Sequence, residues 1–117
     1  MTSNELFCAF SGKKVLVLGD VMIDAYLQGK VNRISPEAPV PIVDIAERYY
    51  RLGGAANVAL NLQSLSATPI LCSVIGNDEK GELFSRLMAE KQMDTTALVR
   101  SENRKTTIKY RVIGNRL

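Results

Sequence analysis

The sequence predicts an α/β fold, a parallel sheet flanked by helices, with a smaller β excursion attached. Three observations point there. Two continuous apolar runs, 14–18 and 69–75, each end in a glycine and read as strands buried on both faces. Helical patterns at 55–65 and 79–91 alternate with them, as in βαβ units. The stretch 25–50 departs from that alternation. Pro36, Pro39 and Pro41 fall within six positions there, which excludes a helix and suits edge strands or extended loops.

In chain order, residues 3–11 are expected to form a short helix capped by Ser3 or Asn4, with Leu6, Phe7 and Phe10 on one side. Lys14–Leu18 is the first strand; Gly19 ends it, and Asp20 and Asp24 follow at its carboxyl end. Short strands at 26–31 and 40–45 flank the rigid segment 35–39. Gly53-Gly54 opens a helix in which Ala55, Ala56, Val58, Ala59, Leu60, Leu62 and Leu65 leave almost no polar side, so burial against the sheet is expected. The second strand, 69–75, ends at Gly76. Asn77 or Asp78 then caps a helix over 79–91, with Leu83, Phe84, Leu87 and Met88 sharing a face. Strands are expected at 97–99 and 105–112, around a turn at Asn103-Arg104. In the second, Thr106, Ile108, Tyr110 and Val112 face one way and Thr107, Lys109 and Arg111 the other. No internal repeat or low-complexity linker interrupts this plan, and one domain is the natural unit.

Composition narrows the function classes. Of 117 residues, 46% are apolar and 23% charged, an ordinary globular balance. The net charge of +3 is spread along the chain with no run of five like charges, so no nucleic-acid footprint is present. A few cations remain for an anionic small molecule. Cys8 and Cys72 have neither metal nor disulfide spacing and suit a reducing cytoplasm. The absence of histidine removes the serine-type triad and most zinc sites. The opening MTSNELFCAF lacks a basic n-region, and no apolar run approaches the ~20 residues of a membrane helix, so a cytoplasmic protein with no membrane partner is expected.

Three groups of residues suit a common ligand. Asp20 and Asp24 lie at the carboxyl edge of the sheet, where open α/β sheets bind ligands, and carboxylates accept hydrogen bonds from sugar hydroxyls. Gly53 and Gly54 can bring bare backbone N–H groups to a polar ligand. Asn57, alone among alanines and valine, is expected as a buried amide that needs a partner, either bonded to a neighbouring loop or in contact with that ligand. Lys109 and Arg111, on one strand face, are either solvated or bind a phosphate.

The stretch from Gly53 to Gly76, GGAANVALNLQSLSATPILCSVIG, resembles the first signature of the PfkB (ribokinase-like) carbohydrate kinases. Asn57, Ala59, Ser66 and Gly76 fall on its positions, Ser66 standing where relatives usually carry glycine. The following Gly76-Asn-Asp78-Glu-Lys-Gly81 is similar to that family's GxDxxG turn, and Gly19-Asp-Val-Met-Ile-Asp24 to its opening strand. A dinucleotide-binding dehydrogenase fits less well, because the first strand is followed by GDVMID and not by GxGxxG. Within the family, Arg33-Ile-Ser-Pro-Glu-Ala-Pro-Val-Pro41 together with RLGGAANVA resembles the kinases of D-glycero-β-D-manno-heptose 7-phosphate, which are often fused to an adenylyltransferase in bacteria making ADP-heptose for lipopolysaccharide.

The resemblance implies a ribokinase-like three-layer α/β sandwich, here incomplete, whose lid strands lie at about 25–50 and 97–113 and often pair two subunits. It also implies that Asp24 holds the sugar hydroxyls with Asp20 close by, that Gly53, Gly54 and Asn57 add contacts, and that Arg33, Lys109 and Arg111 meet the 7-phosphate. ATP and Mg2+ would serve the complete enzyme. The catalytic aspartate of a GAGD-type motif has no counterpart here, since Gly114 is the only glycine after Gly81. This chain alone is therefore expected to bind no cofactor and to be inactive. The other reading is a non-catalytic module that binds a sugar phosphate or dimerises.

Overall fold

The computed structural model describes residues 1–114, in the order α1 (Ser3–Ala9), β1 (Lys14–Leu18), β2 (Val21–Ile34), β3 (Pro41–Gly54), α2 (Ala55–Ser64), β4 (Thr68–Gly76), α3 (Glu79–Glu90), β5 (Leu98–Ser101) and β6 (Ile108–Gly114). They build two three-stranded sheets. The main sheet, β1-β4-β5, is parallel throughout, with Val17 opposite Leu71 and Ser73 opposite Leu98. The second sheet, β3-β2-β6, pairs the β2–β3 hairpin antiparallel and adds β6 parallel to β2.

Alternation along each strand decides what is buried. Leu71 and Ile75 of β4 meet Ile23 and Leu52 of the second sheet, and Ala56, Ala59, Phe84 and Met88 bring α2 and α3 into the same core. Small alanines let α2 sit close to the strands it crosses. The helix is not wholly covered, however: only Ala56 and Ala59 are buried, and Val58 is 50% exposed. The expectation that β1 is buried on both faces also needs correction. Leu16 and Leu18, which point away from the core, are 64% and 77% exposed. Their cross-strand partners on that outer face are Ile70 and Cys72. The face is apolar, as a helix-covered sheet requires, but among the described residues nothing packs on it.

Helix ends follow local chemistry. Thr2, rather than Ser3 or Asn4, caps α1 in a reciprocal capping box with Glu5. Both α2 and α3 stop in Schellman motifs. Ser66 and Gln92 take left-handed backbone at φ 71° and 58°, while Ala67 N–H donates to Leu62 O and Met93 N–H to Met88 O.

The excursion is larger than its sequence suggested. β2 and β3 run 14 residues each, beyond the expected 26–31 and 40–45, because the hairpin ladder continues to both ends of the pair. Register shifts at Gln28/Gly29 and Val31/Arg33 absorb the irregular part. The proline-rich turn closes with Ser35 N–H donating to Val40 O at 2.8 Å. The strand expected at 97–99 is β5, and it belongs to the main sheet rather than to the sheet of β2, β3 and β6. As the third member of a β4–α3–β5 unit, it returns parallel beside β4. Among the described residues no helix is long and apolar enough to cross a membrane.

Candidate functional site

The second sheet has two chemically different faces. Ile23, Ala25 and Leu52 point into the core. The intervening residues point outward, and the strand register lines them up in rows. Arg51, Asp24 and Lys109 form one row across β3, β2 and β6; Tyr49, Tyr26 and Arg111 form the next. Neighbouring strands are about 4.8 Å apart, so each row spans about 10 Å, the scale of a sugar phosphate.

Asp24 is the centre of the first row, its side chain only 18% exposed. The carboxylate lies over the α-carbon of Gly53, where a Cβ would stand 2.7 Å from Oδ2 and 2.9 Å from Met22 Cγ. Gly53 is thus required for space, and it sets where the carboxylate sits. Lys109 Nζ approaches Oδ1 to 3.3 Å, close enough for an ion pair but off the hydrogen-bonding direction. Oδ1 is buried and accepts no hydrogen bond among the described residues. A shielded carboxylate oxygen with an unused acceptor position is a group that a ligand hydroxyl can satisfy.

The second row is a stack. The Tyr26 and Tyr49 rings lie 4.8 Å apart at 7°, and Gln28 Nε2 donates to Tyr49 Oη at 3.2 Å. The Arg51 guanidinium carbon sits 5.3 Å from the centre of Tyr26 and 5.4 Å from that of Tyr49; Arg111 sits 5.7 Å from Tyr26.

The other sequence-derived residues have separate places. Asp20 is at the β1–β2 junction, its side chain 88% exposed and its Oδ1 3.7 Å from Arg104 Nη2. Its backbone oxygen accepts from Ala55 N–H at 2.8 Å, which seats the start of α2. Gly54 permits this approach: its φ is +62°, and a Cβ there would meet Asp20 O at 2.5 Å. The role of Gly54 here is to fit backbone to backbone. Asn57 is exposed, contrary to the buried amide expected among small residues, because the side of α2 that carries it is not covered. It lines a groove of ≈ 530 Å³ with Tyr50, Leu52, Leu60 and Leu87. Arg33 lies nine residues along β2 from Asp24, opposite Ile42 and near the hairpin tip. At about 3.3 Å per residue that is roughly 30 Å of strand, so the structure does not bring Arg33 to the Asp24 row.

The GxDxxG segment is a structural junction. Asp78 Oδ1 accepts from Gly81 N–H and from the Thr106 hydroxyl, both at 2.7 Å, and Oδ2 accepts from Thr106 N–H at 2.9 Å. The Thr106 oxygen in turn accepts from Gly76 N–H at 2.9 Å. The Thr106 hydroxyl, followed by the N–H groups of Thr106 and Gly81, holds the Asp78 carboxyl below its ordinary value of 3.8.

Sequence reasoning missed Arg51, Tyr26 and Tyr49. The signal was available in the turn: reflecting the chain about its midpoint near Glu37-Ala38 sets Arg51 opposite Asp24 and Tyr49 opposite Tyr26. Thr106 carried no signal, since its partner lies 28 residues away.

A model of pfkB family carbohydrate kinases matches residues 12–116. The chain belongs to the pfkB family. This pfkB-family chain is 52% identical over 101 residues to a D-beta-D-heptose 7-phosphate kinase of Bordetella bronchiseptica, covering 86% of the chain and 32% of that protein. It is 46% identical over 102 residues to the bifunctional protein HldE of Helicobacter pylori strain HPAG1, covering 87% of the chain and 22% of that protein. The chain thus spans between about a fifth and a third of the curated relatives it matches. Among solved structures, a fructokinase of Xylella fastidiosa with bound ATP superposes with TM-score 0.65 at 25% identity, over 86% of this chain and 30% of that one. A Methanocaldococcus jannaschii nucleoside kinase, described as an archaeal member of the ribokinase family, gives TM-score 0.64 at 22% identity, over 90% and 35%. The fold is ribokinase-like, as the resemblance implied.

Proposed function

We propose that these residues form the sugar-binding part of an ATP-dependent kinase that phosphorylates D-glycero-β-D-manno-heptose 7-phosphate at O1, a step toward ADP-heptose for lipopolysaccharide. The observation that carries this reading is the shielded Asp24 carboxylate, which retains an unused acceptor beside a cation. The name of the Bordetella relative supports the substrate class.

In this reading Asp24 accepts hydrogen bonds from the sugar hydroxyls, and Gly53 leaves room for them on the same face. Asp20 and Asn57 contribute at the start of α2, where Gly54 fixes the backbone. Lys109 and Arg111 balance the phosphate charge. Arg33 reaches a ligand only at the far end of the hairpin. The lid strands β2, β3 and β6 pair with those of a second copy in a cytoplasmic homodimer, which sedimentation would detect.

ATP and Mg2+ belong to the complete kinase. Among the described residues no three carboxylate, thiol or imidazole groups converge as a metal site requires. In this reading the groups that stabilise charge around the nucleotide belong to the rest of the kinase. The chain by itself would bind a sugar phosphate without phosphorylating it, and its uncovered main-sheet face would be filled in the complete protein.

Calorimetric titration with heptose 7-phosphate, and separately with ATP and magnesium, tests this reading. Sugar-phosphate binding that disappears in Asp24→Ala is the expected result. Affinity unchanged in that variant would remove Asp24 from the site. Nucleotide binding by the 117-residue chain would overturn the division between a sugar part and a nucleotide part.

A further inference from the structure

The outward face of the lid carries more positive charge than its own carboxylates balance. Arg51, Lys109 and Arg111 surround a single carboxylate in the two central rows, that of Asp24. Lys109 is committed to it at 3.3 Å. Among the described residues neither Arg51 nor Arg111 has a carboxylate within ion-pair distance; Arg51 lies beside the Tyr26–Tyr49 stack, near both rings, and Arg111 lies near Tyr26.

A guanidinium held near a ring by its charge carries five N–H donors in its plane, and among the described residues neither arginine pairs with a carboxylate. Two such guanidiniums flank the Tyr26–Tyr49 stack, one row from Asp24. Their place beside the rings restricts rotamers before any ligand arrives, so less freedom is lost when an anion binds. Planar donors of this kind match the oxygens of a phosphate, which a single ammonium meets only as a point charge.

We infer that Arg51, with Arg111, is the clamp that reads the phosphate of the sugar phosphate, and that Lys109 instead orients Asp24. This rests on the reading of the Asp24 face as the sugar site and reassigns its cations. Arg51 becomes a specificity-determining residue: it separates a phosphorylated sugar from the same sugar without phosphate. Tyr26 and Tyr49 act through it as positioning residues.

The test uses the complete protein and three probes: heptose 7-phosphate, the dephosphorylated heptose, and inorganic phosphate as a competitor. Arg51→Met is expected to weaken heptose 7-phosphate by about tenfold to a hundredfold, the scale of hydrogen bonds to a charged group. The dephosphorylated sugar should bind within about twofold of wild type, since hydrogen bonds to its hydroxyls come from Asp24. Arg51→Lys, which keeps the charge without the fork, should recover part of the loss. Equal weakening of both sugars would make Arg51 structural and overturn the inference, as would no weakening of either. Should Arg51→Met fail to fold, Arg51→Lys decides alone: an undiminished preference for the phosphorylated sugar overturns the clamp. The underlying sugar reading fails separately, if Asp24→Asn leaves affinity for the dephosphorylated sugar unchanged. Arg51 is then judged by inorganic phosphate, whose binding must be lost in Arg51→Met for the clamp to survive.

Discussion

Thr106 closes on Asp78 with both of its donors: the hydroxyl gives a hydrogen bond to Oδ1 at 2.7 Å and the backbone N–H one to Oδ2 at 2.9 Å. This joins the segment entering β6 to the first turn of α3. Lys109 and Arg111 follow within five residues, so the junction fixes the register in which they meet Asp24 and Tyr26.

Thr106→Val keeps the shape of this buried side chain and removes its hydroxyl. Gly76 N–H then loses its acceptor and Asp78 one of its donors. A loss of about 1–3 kcal/mol in unfolding free energy is expected, measured by denaturant titration. Sugar-phosphate affinity should fall as well, because β6 loses its anchor.

Acid should weaken the same junction. The fold favours the charged form of Asp78, so its carboxyl titrates below the ordinary value of 3.8. The stabilisation is complete from about pH 5 upward, where the unfolded carboxylate is also ionised, and fades as pH falls through the lowered folded value. In Asp78→Asn the acid-side loss of stability should be shallower than in wild type. Identical slopes in acid denaturation of the two proteins would show that the junction does not depend on charge.

Gly53→Ala puts a methyl group 2.7 Å from Asp24 Oδ2. The carboxylate has to move while the strands need not. Sugar affinity should fall by about tenfold or more, as displaced binding groups do, with a melting temperature within a few degrees of wild type. A large drop in melting temperature at unchanged affinity would place the cost in the sheet instead of the site.

Ser66→Gly should stabilise the protein. Ser66 holds φ 71° at the end of α2, where a Cβ costs roughly 1–2 kcal/mol and glycine nothing. The greater freedom of glycine in the unfolded chain offsets part of this, by about 0.4–1 kcal/mol. A net gain of about 0.5–1 kcal/mol by thermal unfolding is expected.

The parts of this fold that the sequence announces are those set by neighbours in the chain. The apolar runs of β1 and β4, the glycines before α2 and the Asp78 cap of α3 all sit where local patterns put them. The alternation of Lys109 and Arg111 against Ile108 was legible for the same reason. Relationships between distant segments were not. Leu16 and Leu18 look like buried residues because their chemistry suits a covered sheet; coverage depends on what packs there, and no periodicity encodes it. Asn57 misled in the opposite way, because small neighbours in sequence do not ensure a buried neighbour in space. Arg51 was hidden until the hairpin register paired it with Asp24.

The parallel pairing of β6 with β2 also has a consequence in time. Ile23 meets Ile108, and the chain between them includes both larger helices and most of the main sheet. During synthesis at ~5–20 residues per second, the β2–β3 hairpin leaves the ribosome several seconds before its last strand. Through that interval one edge of β2, including the backbone beside Asp24, has no ladder partner. Nascent chains will therefore complete the Asp24 face late and all at once, and a delay in that closing step leaves an open strand edge on which other chains can pair.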